Sequence, residues 1–212
     1  MRIPLFPLES VYFPNERVPL HIFEARYKQL IQDCREEALT FGIPVYINDT
    51  LAYGTEMTLV EIMKTYENGE MDVICSAQRI FKVLTFDRQM DEKLYAGGIV
   101  QFLENVEDGN LAQKEKVTVM IKELYQLMEV PLKHIDPTTF NSYSLAHKIG
   151  LSIEQEHQLL QITYESERLR FLQDHLVTTI AILKEVNRTK KVIAMNGHFR
   201  NFDPLDFKDI EL

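Results

Sequence analysis

Apolar residues crowd the start of the chain and then recur with two different periods. The first 23 positions hold four prolines and eleven large apolar side chains between Ile3 and Phe23. Pro4 and Pro7 cannot donate ladder hydrogen bonds, so Ile3 to Leu8 reads as an edge or irregular strand. Phe13-Pro14-Asn15-Glu16 reads as a turn, and Val18 to Ile22 as a second short strand beside Pro19. A helix is predicted next. Phe23, Tyr27, Leu30, Ile31, Cys34 and Ala38 lie 4, 3, 1, 3 and 4 apart, one helical stripe with charged residues between. Glu24 in its first turn suits the helix dipole, and Gly42 with Pro44 marks the exit.

Ile43 to Ile47 reads as a strand ending at Asn48-Asp49. Thr58 to Tyr66 and Met71 to Ala77 then flank Asn68-Gly69, the pair preferred in a two-residue type I′ hairpin loop. That loop places Glu67 opposite Glu70, and Tyr66, Lys64, Ile62 and Val60 opposite Met71, Val73, Cys75 and Ala77 on an apolar face. Ile80 to Phe86 and Leu94 to Leu103 complete the strands, with Asp87 to Lys93 as a charged loop. Gly97-Gly98 within the last strand predicts a bulge or a close backbone approach, and it lacks the context of a phosphate-binding loop. About six or seven short strands and one helix make a small closed or half-closed barrel.

Glu104 to Asn110 is polar and acidic with a glycine, a natural boundary. Past it the helical period takes over. Helices are predicted over Leu111 to Val130, stopped by Pro131, and from Asp136-Pro137 to Ile149, capped by Gly150. A third starts at the Ser152/Gln155 capping box and runs to Ile162, and a fourth spans Glu165 to Lys190 along Leu169, Leu172, Leu176, Ile180, Leu183 and Val186 or Asn187. The expected fold is thus α+β: residues 1–105 form a β-barrel unit with one helix, and residues 111–190 a four-helix unit with short connections. From Asn196 to Phe207 no clean period exists, yet three phenylalanines occur. Leaving them in water forgoes roughly 1.5–3 kcal/mol each, so residues 191–212 are expected to dock on the body or on a neighbouring copy, as a route to a homo-oligomer.

Composition narrows function mainly by exclusion. The net charge is −9, of which residues 1–110 carry −8, so the first half repels phosphate backbones. No apolar run is long enough to span a membrane, and no signal peptide opens the chain. Cys34 and Cys75 form no framework and fall on predicted apolar faces, which reads as structural thiols in the cytoplasm. The six histidines show no metal-ligand spacing, and G-x-S-x-G and H-E-x-x-H are missing. Glu36-Glu37 and Glu154 with Glu156 read as solvated helix faces. No cofactor, metal, nucleic acid or membrane partner is expected.

Several of these stretches resemble one family. Ile3-Pro4-Leu5-Phe6-Pro7-Leu8, Phe13-Pro14 and Val18 through Tyr27 are similar to the opening signature of the Lon protease N-terminal (substrate-binding) domain family. Gly54-Thr55, Val60-Glu61-Ile62 and Gln78 through Val83 resemble its later strands; Leu145 through Ile149, Leu159-Leu160 and Ser166 through Leu169 resemble its helical part. The resemblance implies a PUA-like β pseudo-barrel followed by a C-terminal helical bundle, and recognition of unfolded or tagged polypeptides. These 212 residues contain no Walker A loop and no Ser–Lys protease part, so the expectation is a stand-alone, non-catalytic polypeptide-binding module, accessory to protein quality control or proteolysis. Candidate contacts near the barrel–helix junction are Phe13, Arg26 and Tyr27. Two other classes compete: a hydrolase, which requires a Ser–His or Cys–His pair in a cleft, and a PUA-like RNA binder, which requires a continuous basic stripe.

Overall fold

The structure, a computed structural model, describes residues 1–199, with side chains through Ala194. It is mixed α and β. The strands are β1 (Arg2–Leu5), β2 (Arg17–Ile22), β3 (Thr40–Pro44), β4 (Tyr53–Thr65), β5 (Met71–Asp87) and β6 (Ala96–Phe102). The helices are α1 (Ala25–Glu37), α2 (Leu111–Met128), a 3-10 helix (Ser142–Lys148), α3 (Ile153–Leu160) and α4 (Glu165–Phe199).

One long strand organises the sheet. β5 pairs with β2 from Met71 to Ser76, with β4 from Met71 to Lys82 and with β6 from Phe81 to Asp87. The order is β2-β5-β4-β3-β1-β6 with β5 and β6 also paired, so five strands are hydrogen-bonded in a ring and β2 hangs outside it on β5. Ile80 to Phe86, expected as a separate strand, is the second half of β5. β1 is also not an edge strand: it lies between β3 and β6. Its pairing with β3 is a single bridge, Leu5 to Gly42, which leaves room for the donor that Pro4 lacks.

The β4–β5 hairpin departs from the expected register. The Gly69 N–H donates to the Tyr66 carbonyl (2.9 Å) with Gly69 at φ 77°, and the Tyr66 N–H to the Glu70 carbonyl (2.8 Å). This is a three-residue loop with a glycine bulge rather than a two-residue type I′ turn. Ile62 therefore faces Val73 where Lys64 is expected, and Leu59 faces Cys75. The apolar face of β5 is as expected, with Met71, Val73, Cys75 and Ala77 buried. A bulge between Leu59 and Glu61 turns Val60 outward. Gly98 is the close approach expected of the last strand, since a Cβ there would lie 2.2 Å from the Thr85 carbonyl oxygen.

α1 buries Tyr27, Leu30, Ile31 and Cys34 against Met71, Val73 and Cys75. The ends of its predicted stripe lie outside it: Phe23 is exposed, Glu24 is the N-cap, and the helix stops at Ala38 in the left-handed conformation. Gly42 and Pro44, expected as the exit, belong to β3. Asp33, on the polar side of the predicted stripe, is buried, accepting from the Tyr95 hydroxyl (2.7 Å) and the Lys93 ammonium (2.8 Å).

In the second half, Asp136-Pro137 opens a single turn and no long helix. The Asp136 carboxylate accepts from Thr138 N–H and hydroxyl, and the ordered helix starts at Asn141, as a short 3-10 helix. Three α-helices and this 3-10 helix thus stand where four helices are expected. The Ser152/Gln155 capping box forms as expected. Leu169, Leu172, Leu176 and Ile180 of α4 pack on Val117, Ile121 and Leu124 of α2. The same cluster takes in Val11, Phe13, Val45 and Ile80, so the apolar interior runs on from the helices into the strands.

Glu104 to Asn110 is tied to the start of α4: the Glu165 N–H donates to the Val106 carbonyl (2.8 Å), and Asp108 accepts from the N–H and hydroxyl of Ser166. Beneath lies a buried ion pair. Glu165 and Arg168 are both fully buried, and the Arg168 Nε donates to Glu165 (3.0 Å). Asn196 to Phe199 belong to α4; of the tail expected to dock, residues 200–212 lie outside the described residues.

Candidate functional site

A cleft of about 640 Å³ opens where the strands meet the helices. One wall is Glu9 to Tyr12 and the Arg17–Pro19 part of β2; the other is Tyr143 to Lys148, with Ile153 and Glu156 of α3. Among the described residues, β2 pairs with β5 alone and keeps one edge free. The Ala77 N–H donates to the Glu16 carbonyl (2.9 Å). By the two-residue alternation, Val18 and Leu20 turn their backbone groups to β5, and Arg17, Pro19 and His21 turn theirs to the open edge. Pro19, without an N–H, therefore costs the ladder nothing. The edge offers two donors and three acceptors: N–H and C=O of Arg17 and His21, and C=O of Pro19.

Phe13 lies beneath the lining of the cleft. It has no exposed surface, stacks on Tyr143 (centroids 4.9 Å apart) and lies tilted against the His147 ring (4.8 Å). Glu16, just before β2, accepts from the Phe13 N–H (3.0 Å) and faces the His147 Nε2 (3.0 Å). His147 Nδ1 faces Glu156 of α3 (2.8 Å). His147 thus bridges the strand and helical walls. The hydrogen bond to Glu16 outweighs the opposing effect of burial and, with Glu156 helping, raises its pKa to about 9.

Beyond the 3-10 helix lies a second cavity of about 410 Å³, which shares Ser144, Leu145 and Lys148 with the cleft. The 3-10 helix thus contributes lining residues to both cavities.

The three residues expected to make contacts are split. Phe13 lies beneath the cleft. Arg26 and Tyr27 sit together at the start of α1, over the other core. Arg26 is exposed, donates to Glu24 (2.8 Å) and lies 4.5 Å over the Tyr27 ring; Tyr27 is buried and stacks on Phe6. His147, Glu16 and Glu156 are the residues that sequence reading passes over. Glu156 is not a solvated helix face but half-buried in this bridge. Its only sequence signal is position one turn into α3, which reveals neither His147, nine residues earlier, nor Glu16 beyond it.

The cleft brings a serine and a histidine together but not as a nucleophile and base. The Ser144 hydroxyl donates to Asn141 (3.0 Å), and both nitrogens of His147 face carboxylates, so it holds its protons at neutral pH. Cys34 and Cys75 are buried, and burial pushes each thiol up to about 12. Among the described residues no group of metal ligands forms, and no helix is long and apolar enough to cross a membrane.

The family model of the ATP-dependent protease La (LON) substrate-binding domain matches residues 2–180. The structure is similar to that of a Lon N-terminal domain protein from Xanthomonas campestris, at 25% identity and a TM-score of 0.63, covering 81% of this chain and 96% of that one. It is also similar to the N-terminal domain of the Mycobacterium avium complex Lon protease, at 14% identity and a TM-score of 0.63, covering 84% and 98%; that likeness bears on the fold alone. No curated protein matches the chain.

Proposed function

Because the chain belongs to the family of the ATP-dependent protease La (LON) substrate-binding domain, we propose that its cleft holds an extended polypeptide segment by strand addition to β2. The observation that carries this is the open edge of β2 along a cleft whose lining includes Val11, Tyr12, Tyr143, Leu145 and Ile153. An added strand uses the five outward groups of Arg17, Pro19 and His21. At about 1 kcal/mol net for each hydrogen bond, backbone pairing contributes roughly 5 kcal/mol, against the cost of ordering the segment. Alternate side chains of the segment meet Val11, Leu145 and Ile153. Binding of this kind is weak and tolerant of sequence, which suits recognition of unfolded chains.

In this reading the ring of five strands is the PUA-like pseudo-barrel, residues 1–105, and residues 111–190 are the helical unit. Phe13 supports the cleft from below. Arg26 and Tyr27 stand at the far end of β2, where a segment continuing past Ile22 meets Arg26 and the exposed Phe23 ring. The role is accessory to proteolysis or quality control, without catalysis, and two buried thiols suit a reducing cytoplasm. The acidic first half favours a polypeptide over RNA.

Arg17→Pro tests the mode of binding. It removes one outward N–H while leaving the bonds to β5. Fluorescence anisotropy with a labelled, permanently unfolded model polypeptide is expected to show binding by the parent and a several-fold weaker affinity for R17P, with an unchanged circular dichroism spectrum. Absence of binding by the parent refutes the function. Full affinity in R17P refutes strand addition.

A further inference from the structure

The second cavity carries charge that strand addition does not use. Its apolar wall is Leu132, Ile135, Phe140 and Leu145. Lys133, His134 and Lys148 also line it, and the lysines found in ion pairs among the described residues are Lys93 and Lys184 instead. The one carboxylate there, Asp136, is engaged by Thr138. This is a site for an apolar segment that carries negative charge.

The chain contains such a segment. Residues 200–212 hold Asp203, Asp206, Asp209 and Glu211 against Arg200 and Lys208, interleaved with Phe202, Leu205, Phe207, Ile210 and Leu212. α4, which carries this segment, passes close to the cavity loop before its end. Asn187 of α4 donates to the Leu127 carbonyl at the end of α2 (2.8 Å), and the cavity loop begins at Pro131, three residues past Met128. α4 continues 12 residues beyond Asn187 to Phe199, or about 18 Å. The eight steps from Phe199 to Phe207 reach about 26 Å in extended form, more than the overshoot of α4 past Asn187. The closer cationic strip around Lys190 and Lys191 is lined almost wholly by polar side chains and offers no comparable apolar wall.

We propose that residues 206–212 seat in this cavity of their own chain, with Phe207 and Ile210 on the apolar wall and Asp209 and Glu211 near Lys133 and Lys148. Because the cavity shares Leu145 and Lys148 with the cleft, the segment competes with a bound polypeptide; that competition rests on the cleft being a polypeptide site, whereas the docking does not.

The test uses the full chain with Phe207, Ile210 and Leu212 each changed to Ser, and a labelled synthetic peptide of residues 200–212. The peptide is expected to bind this variant, and to bind at least tenfold more weakly once Lys133→Glu and Lys148→Glu are added. The unfolded model polypeptide is expected to bind the triple-Ser variant several-fold more tightly than the parent. A peptide that does not bind, or that binds regardless of the two lysines, overturns the docking. Equal polypeptide affinity for parent and variant overturns the competition while leaving strand addition standing. Peptide binding without any polypeptide binding upholds the docking and refutes the proposed function. A parent that self-associates in sedimentation, where the triple-Ser variant does not, overturns docking within one chain.

Discussion

Arg168→Met should be among the most damaging single substitutions away from the cleft. The guanidinium has no exposed surface, and its Nη1 donates to the carbonyls of Ile162 (2.9 Å) and Thr163 (2.8 Å). Its Nε donates to Glu165 and to the Ser142 hydroxyl, both at 3.0 Å, and its plane lies 4.7 Å from the centre of the Tyr143 ring. Ser142 in turn donates to Glu165 through its N–H (2.7 Å) and hydroxyl (2.6 Å). Methionine fills much of the volume but leaves the Glu165 carboxylate without a counter-charge and two buried carbonyls without a donor. Breaking a buried pair from one side costs about 3–5 kcal/mol. For a chain of this length that lowers Tm by roughly 6–20 °C. Differential scanning calorimetry and urea unfolding at neutral pH measure it. Adding Glu165→Leu should cost less than the two single changes summed, by at least about 2 kcal/mol, because the second change removes the stranded charge. A fall in Tm of less than about 3 °C for R168M, or strict additivity in the double variant, would refute the account of this network.

Two further outcomes follow from the cleft. His147 has a folded pKa raised to about 9 from an ordinary value near 6.5, so the stability it contributes is fully present below about pH 6.5 and is lost as pH rises through 9. At full strength the shift corresponds to about 3 kcal/mol; screening of a side chain 36% exposed reduces that to roughly 1–2 kcal/mol. Urea unfolding at pH 6 and pH 10 should show a loss of stability larger by this amount in the parent than in His147→Gln, since the buried thiols titrate alike in both; an equal loss in both would remove the bridge. Phe13→Ala empties the floor under Tyr143 and His147 and should cost about 3–5 kcal/mol, whereas Phe13→Leu should cost much less and retain polypeptide binding. Equal losses of binding in both would mean that the aromatic ring itself, rather than a filled floor, is required.

What is legible in the sequence is what neighbours along the chain decide. Tyr27, Leu30, Ile31 and Cys34 declare the buried face of α1, the alternation from Met71 to Ala77 declares that of β5, and Ser152 with Gln155 starts α3. In each case burial demands a local period or a cap demands a local donor. The family follows from the opening signature for the same reason: its prolines and apolar residues are contiguous. The register of the β4–β5 hairpin was not determined in this way, because one glycine bulge moves the pairing while leaving the apolar face of β5 unchanged. Nor was the ring, which needs the far half of β5 to meet β6, or the failure of Asp136-Pro137 to propagate a helix. The cleft is the plainest case. Its bridge joins Glu16, His147 and Glu156; away from it, a buried network joins Arg168 to Glu107, Ser142 and Glu165, which read singly as ordinary surface groups. A charge becomes buried and useful only when distant segments close over it, and that closure belongs to the tertiary structure.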